Sequence, residues 1–202
     1  MTGHSVFVID DDAAVRDSLL TLLRGQGFVA RGFVSGIDFF SRLPEARSAC
    51  VITDIRMPDM DGAEVVRRLA AVKGDAWPVI VITGHADVPM AVQLMKAGVV
   101  DFIEKPFDPQ RLSESLRGCL GLITDRLTRE EAARRTQELL VNLTPRERQV
   151  FEALVEGKSN KEIAIQLEIS PRTVEIFRAK VMTKMRAENL SALIRMGLNR
   201  QS

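Results

Sequence analysis

Four segments in the first half of the 202-residue chain carry residue types that together can accept a phosphoryl group: Asp10-Asp11-Asp12, Asp54, Thr83 and Glu104-Lys105-Pro106. Each closes a short apolar run. Carboxylates delivered by two neighbouring strands make an all-oxygen donor set for a hard, octahedral cation such as magnesium, whose charge offsets their mutual repulsion. An Asp beside such a cation is a nucleophile for phosphorus when a Lys ammonium and a Thr hydroxyl are at hand for the incoming oxygens. Asp10 and Asp11 are therefore expected as metal ligands, Asp54 as ligand and nucleophile, and Thr83 and Lys105 as its partners. Each also has an ordinary alternative. Asp caps helices, and Asp12 is assigned that task; a strand-end threonine or a solvated lysine needs no chemistry. Three acids in a row exceed one cap, and a succession of strand ends favours one shared site.

The segments around these residues dictate how they are held. Val6–Ile9, Cys50–Thr53 and Val79–Thr83 are near-continuous apolar runs, the pattern of strands covered on both faces, with weaker candidates at Phe28–Phe33 and Val99–Ile103. Helical spacing of Val15, Leu19, Leu22 and Leu23, and of Val65, Val66 and Leu69, falls between them, and Gly98 is placed to end a further helix. A βα alternation repeated five times, joined by right-handed crossovers, predicts an α/β, flavodoxin-like, doubly wound five-stranded parallel sheet. Such sheets bind ligands beyond the carboxyl ends of their strands, where the acids, Thr83 and Lys105 fall.

The last third changes character. Net charge is −4 through Asp125 and +5 from Arg126 onward, a balance suited to a polyanionic partner in the second half. Residues 123–142 are dense in Arg and Glu and read as a helical, solvated linker. Thr144-Pro145-Arg146-Glu147 and Ser159-Asn160-Lys161-Glu162 are capping boxes, and Ser170-Pro171 sets a cap before proline at the first helical position. With a last helix over Leu190–Leu198, these starts predict four helices, the central pair separated near Glu168-Ile169 as a helix-turn-helix. On the helix from Pro171 to about Met185, Val174, Phe177, Val181 and Met185 should face its own core. A charged outer face is ordinarily only solvated, but the second helix of this motif enters a major groove. Lys161, Arg172 and Lys180 are expected on phosphates and Glu175, Ile176 and Ala179 at base edges, with Thr173 completing the DNA-contact set.

Composition narrows the classes. With 46% hydrophobic and 27% charged residues the chain is neither disordered, collagenous nor a coiled-coil rod. No apolar run approaches the roughly 20 residues of a membrane span, and residues 1–5 lack the basic and apolar regions of a signal peptide, so a cytoplasmic protein without membrane contact is expected. Cys50 and Cys119 give no disulfide framework and are assigned to cores. His4 and His85 lack metal-ligand spacing and a triad partner, and His85, two residues past Thr83, reads as an ordinary loop residue.

The segments Val8–Asp12, Thr53–Gly62, Ile82–His85 and Phe102–Phe107 resemble the receiver domain of bacterial response regulators over residues 5 to 122. That resemblance implies an acid pair at Asp10 and Asp11, a phosphoacceptor at Asp54, a switch hydroxyl at Thr83, a switch aromatic at Phe102 and a conserved-role lysine at Lys105. It further implies that the Arg56 carbonyl ligates magnesium and that the Lys105-Pro106 bond is cis, and for His85 it implies the alternative of a modulator of dephosphorylation. Leu143–Val150 and Ser170–Glu175 resemble the LuxR/GerE helix-turn-helix, with Phe177 standing where that family usually has histidine. The pair resembles FixJ-type transcriptional regulators: a receiver over 1–122, a helical linker over 123–142 and a helix-turn-helix domain over 143–202. The implied partners are a sensor histidine kinase, double-stranded promoter DNA, RNA polymerase and a second copy on phosphorylation, with the last helix as dimer surface of the DNA-binding unit. No catalysis is expected beyond the chain's own phosphorylation and dephosphorylation. Two alternatives stand. One is a phosphorylation-independent DNA-binding protein with a vestigial receiver. The other is a haloacid-dehalogenase-like phosphatase, which typically needs a second Asp two residues after the nucleophile, where this chain has Arg56.

Overall fold

Five apolar segments form strands β1 (Ser5–Ile9), β2 (Val29–Phe33), β3 (Ala49–Asp54), β4 (Val79–Thr83) and β5 (Asp101–Glu104), all parallel in the order β2-β1-β3-β4-β5. The structure is a computed structural model and describes residues 4–84 and 88–200. It divides into two compact units, residues 1–126 and 127–202. In the first, helices α1 (Ala13–Gly25), α2 (Gly36–Ser41), α3 (Gly62–Lys73) and α4 (Val88–Lys96) follow the first four strands, and α5 (Pro109–Leu140), whose residues from 127 onward belong to the second unit, follows the fifth.

The central strands are buried on both faces, which gives the sheet two cores. One holds Phe7, Phe33, Phe39, Val51, Val65, Leu69 and Trp77; the other holds Val8, Leu19, Leu23, Cys50, Ile52, Ile80, Leu116 and Cys119. Both cysteines are free and buried, the core role expected of them. Asp12 caps α1 by accepting the Ala14 and Val15 N–H groups, so the third acid of the run serves the helix. Asp61 does the same for α3 through the Glu64 N–H.

Some boundaries differ from the sequence expectation. The fifth strand begins at Asp101 and runs to Glu104, while Val99 is buried without being part of the strand. The stretch expected as a solvated linker is the latter part of α5, a single 32-residue helix; this stretch is exposed over most of its length but buries Ile123, Thr136 and Leu140. Among the described residues no helix is long and apolar enough to cross a membrane.

The second unit continues with α6 (Pro145–Val155), α7 (Asn160–Leu167), α8 (Pro171–Lys184) and α9 (Leu190–Leu198). Both capping boxes form, and Ser170 caps α8. Residues 168–170 make the turn between α7 and α8, with Glu168 in the left-handed region at φ 55°. The core comprises Leu140, Val150, Phe151, Leu154, Ile163, Leu167, Val174, Val181, Met185 and Leu193. Gly197 seats α9 on α6, since a Cβ there would lie 2.2 Å from Val155 Cγ2.

Glu147 ties this unit together. Its carboxylate accepts the Thr144 N–H at 2.8 Å and the Lys184 ammonium at 2.6 Å, joining the start of α6 to the end of α8. The Lys184 hydrogen bond, then that of Thr144, hold its pKa down to about 2 from the ordinary 4.5. A carboxyl depressed on folding stabilises the native state above its unfolded pKa and loses that contribution as pH falls through the folded value. Glu147→Gln is therefore expected to lower the thermal midpoint of this unit at pH 7 and to flatten its decline between about pH 4.5 and about pH 2. Circular-dichroism melts of variant and native protein across that range measure both; parallel declines would refute the assignment.

Candidate functional site

The parallel register brings the chemistry of four strands to one sheet edge. Ile9 pairs with Thr53, Asp54 with Ile82 and Thr83 with Glu104, so Asp10, Asp54, Thr83 and Lys105 all leave or end strands at the same side. Asp10 is 2%, Asp54 8% and Thr83 1% exposed, which marks these polar groups as built into the fold. The Lys105 ammonium lies between the two acids, donating to Asp10 Oδ2 at 2.9 Å and standing 3.2 Å from Asp54 Oδ1. Lys105 is itself anchored by its N–H to the Thr83 carbonyl at 2.8 Å, and the Lys105-Pro106 bond is cis.

Each acid is also oriented from its own loop. Asp10 Oδ1 accepts the Asp12 N–H at 2.9 Å, and the Asp10 carbonyl accepts Arg16 Nη1 at 2.8 Å. Asp54 Oδ2 accepts the Arg56 N–H at 3.1 Å. Asp11 is exposed. Among the described residues Asp10, Asp11 and Asp54 do not converge as a three-acid metal cluster; the structure brings together Asp10, Asp54 and Lys105. Phe102 packs partly buried against the first core. His85 lies outside the described residues.

The electrostatics suit a further cation. Burial pushes the Asp54 carboxyl above the ordinary aspartate value, against the pull of Lys105 and with a push from the Asp10 charge. Burial by itself lowers Lys105, but the hydrogen bond to Asp10 and the charges of Asp10 and Asp54 outweigh it and hold the ammonium above the usual lysine value. Two buried carboxylates share one ammonium, which leaves an uncompensated negative charge that an oxygen-seeking dication balances.

One feature of the site was not read from the sequence. Gly62, the first residue of α3, lies so close to β3 that a Cβ would stand 2.2 Å from the Asp54 carbonyl oxygen and 2.9 Å from Ile55 Cα. The available signal was the Asp61-Gly62 pair, a helix cap followed by a residue without a side chain, which marks a close backbone approach.

In the second unit, α8 presents Val174, Val181 and Met185 inward, with Phe177 packed partly against the same core. Arg172, Glu175, Ile176, Ala179 and Lys180 are exposed along the opposite face, and Lys161 is exposed at the start of α7. The basic side chains differ in how they are engaged. Arg148, Lys158, Lys184 and Arg200 are engaged by the Leu140 carbonyl, Glu156, Glu147 and Glu152 respectively. Lys161 and Arg172 have no hydrogen-bond or ion-pair partner among the described residues, and Lys180 has only the Phe177 ring at 5.8 Å. Thr173 is partly buried and its hydroxyl lies 2.8 Å from that of Ser170 within the cap.

Comparison with known proteins agrees with this division. Residues 6–117 match the response regulator receiver domain, and residues 141–197 match the luxR family of bacterial regulatory proteins. The chain belongs to the response regulators, as a receiver domain joined to a LuxR-type helix-turn-helix domain. Within them it is a FixJ-like two-component regulator of transcription. It is 45% identical over 97% of its length to the transcriptional regulatory protein FixJ of Bradyrhizobium diazoefficiens, covering 95% of that protein. Among solved structures it is similar to full-length FixJ from B. japonicum, 43% identical with a TM-score of 0.61 over 100% of this chain and 98% of that one. It is also similar to the response regulator StyR, 35% identical with a TM-score of 0.77 over 98% and 99%.

Proposed function

We propose that Asp54 is the phosphoacceptor of this regulator and that its phosphorylation by a sensor histidine kinase drives receiver dimerisation, promoter binding and activation of transcription in the cytoplasm, with RNA polymerase as the downstream partner. The observation that carries this reading is the Asp10–Lys105–Asp54 arrangement, with all contacts within 3.2 Å at the edge where ligands of parallel sheets bind. In the transfer, an Asp54 oxygen forms the new bond to phosphorus as the bond between phosphorus and the kinase histidine nitrogen breaks. Asp10 and Asp54 would hold magnesium, with Asp11 and the Arg56 carbonyl drawn in on binding, and the ion would offset the charge of the transferring oxygens.

Lys105 orients Asp54 before transfer and neutralises part of the charge that the phosphoryl group adds, about −1.5 to −2. Thr83 responds through its hydroxyl and Phe102 by repacking, a charge-triggered change in a bistable element. Moving such an equilibrium from 1:99 to 99:1 takes about 5.5 kcal/mol, so phosphate contacts, dimerisation and DNA binding must favour the same state. Lys161, Arg172, Thr173, Glu175, Ile176, Ala179 and Lys180 form the proposed DNA interface, and residues 123–142 the proposed linker.

Intact-mass analysis with magnesium and a small-molecule phosphoryl donor tests the assignment. Native protein is expected to gain one phosphoryl group and Asp54→Asn none, with the gain accompanied by dimerisation and at least roughly tenfold tighter duplex DNA binding. An Asp54→Asn variant with full DNA affinity would identify a vestigial receiver instead.

A further inference from the structure

The base-facing stripe of α8 has an unusual composition for a groove reader. Glu175, Ile176 and Ala179 are neighbours at helical spacing, all exposed, and none is a guanine-reading Arg or Lys. Ile176 is 52% exposed while Val174 and Val181 on the inward face of the same helix are fully buried, so its side chain is held out by the helix and does not serve the core. The Glu175 carboxylate has no hydrogen-bond or ion-pair partner among the described residues. A carboxylate on this face is repelled by phosphates, so in a complex it must be spent on an amino group at a base edge.

Resting on the reading of the second unit as a DNA binder, we propose that this stripe makes the protein a pyrimidine reader: Ile176, with Ala179 beside it, contacts a thymine methyl group, and Glu175 accepts a hydrogen bond from a cytosine amino group in the same half-site. Major-groove chemistry supports the pairing. The thymine C5-methyl is the one apolar feature exposed there, and the cytosine N4 amino group is the donor that suits Glu. Lys161, Arg172 and Lys180, exposed and without ion-pair partners among the described residues, supply the phosphate contacts that carry no sequence information.

The test uses the full chain with magnesium and a small-molecule phosphoryl donor, selecting duplexes from a randomised pool. Each thymine of the selected site is then replaced by deoxyuridine, which deletes only the methyl group. One buried methyl is worth about 0.8 kcal/mol, a loss of about fourfold. Native protein is expected to lose that affinity at one or two thymines per half-site, and Ile176→Ala to bind thymine and deoxyuridine duplexes alike. Glu175→Gln is expected to shift the selected cytosine toward adenine, which a carboxamide contacts through N6 and N7. Lys161→Ala is expected to weaken all duplexes uniformly and lower the salt slope by about 1, with the deoxyuridine effect intact. Selected sites that ignore the methyl group, or an effect that survives in Ile176→Ala, would overturn the inference while leaving DNA binding in place. No enriched sequence and no salt-dependent duplex binding would reject the DNA reading itself, and the inference with it.

Discussion

Gly62→Ala is expected to lower the thermal midpoint of the first unit by roughly 4–12 °C and to slow phosphoryl uptake at Asp54 by at least about tenfold. The added Cβ would meet backbone atoms only: the Asp54 carbonyl oxygen at 2.2 Å, Ile55 Cα at 2.9 Å and the Asp54 carbonyl carbon at 3.0 Å. A flexible side chain turns aside, but here either the first turn of α3 or the end of β3 has to move. Neither is free. The Gly62 N–H is bonded to the Ile55 carbonyl at 2.9 Å, and Asp61 caps the same turn. Overpacking of this kind costs about 1–3 kcal/mol, a large share of the stability of a domain this size. The displacement falls on the residue proposed to accept the phosphoryl group, so rate should suffer beyond stability. Trp77, the only tryptophan and 1% exposed in the first core, reports unfolding of this unit by fluorescence. Uptake is followed by mass at a temperature where the variant is folded. A midpoint within a degree or two of native would show that α3 relaxes freely and that the close approach carries no weight.

Legibility in the sequence tracks burial. β1, β3 and β4 were visible as unbroken apolar runs because both sheet faces are covered, and their carboxyl ends delivered Asp10, Asp54 and Thr83 in register. β2 is an edge strand with Val29 and Arg31 exposed, so its pattern is weaker. At β5 the apolar signal begins too early because Val99 is buried outside the strand, hydrophobicity reporting burial and not pairing. α2 has six residues, fewer than two turns, and leaves no period to detect. The Arg and Glu density of residues 123–142 reported helix and solvent correctly for most of its length, but nothing local distinguishes Thr136 and Leu140 as buried.

The same limit applies at the site. Residue types and strand ends were enough to assemble Asp10, Asp54, Thr83 and Lys105, because the topology of a parallel sheet leaves one place for them. How one ammonium is divided between two carboxylates, or that Gly62 presses on the Asp54 carbonyl, depends on distances across residues far apart in the chain. The outward stripe of α8 was legible for a different reason. Three helix starts are written as caps, and caps fix helix phase, so the outward stripe of α8 follows from counting.

Lys105→Met should expose the charge balance on which the site is built. In native protein the ammonium stands 2.9 Å from Asp10 Oδ2 and 3.2 Å from Asp54 Oδ1, answering one of two negative charges. Its removal leaves two buried carboxylates facing each other, so the variant without divalent cation is expected to be less stable at pH 7 by about 1–3 kcal/mol. The lower part of the range is favoured because the Lys105 side chain is 23% exposed and water screens the loss. Magnesium should act in the opposite sense. A dication held by Asp10 and Asp54, as proposed, would compete with the ammonium for the same oxygens, and a unit-charge pair at about 4 Å is worth about 4 kcal/mol at an effective dielectric near 20. Relaxation and screening reduce this, and a gain of at least about tenfold in magnesium affinity is expected for the variant. Thermal melts across a magnesium titration read both effects, since a ligand that binds only the folded state raises the midpoint with concentration. A variant as stable as native without cation, and no more responsive to magnesium, would mean that Lys105 is merely adjacent to the acids. Reduced stability together with stronger magnesium response would identify it as the group that holds the place of positive charge until the cation arrives.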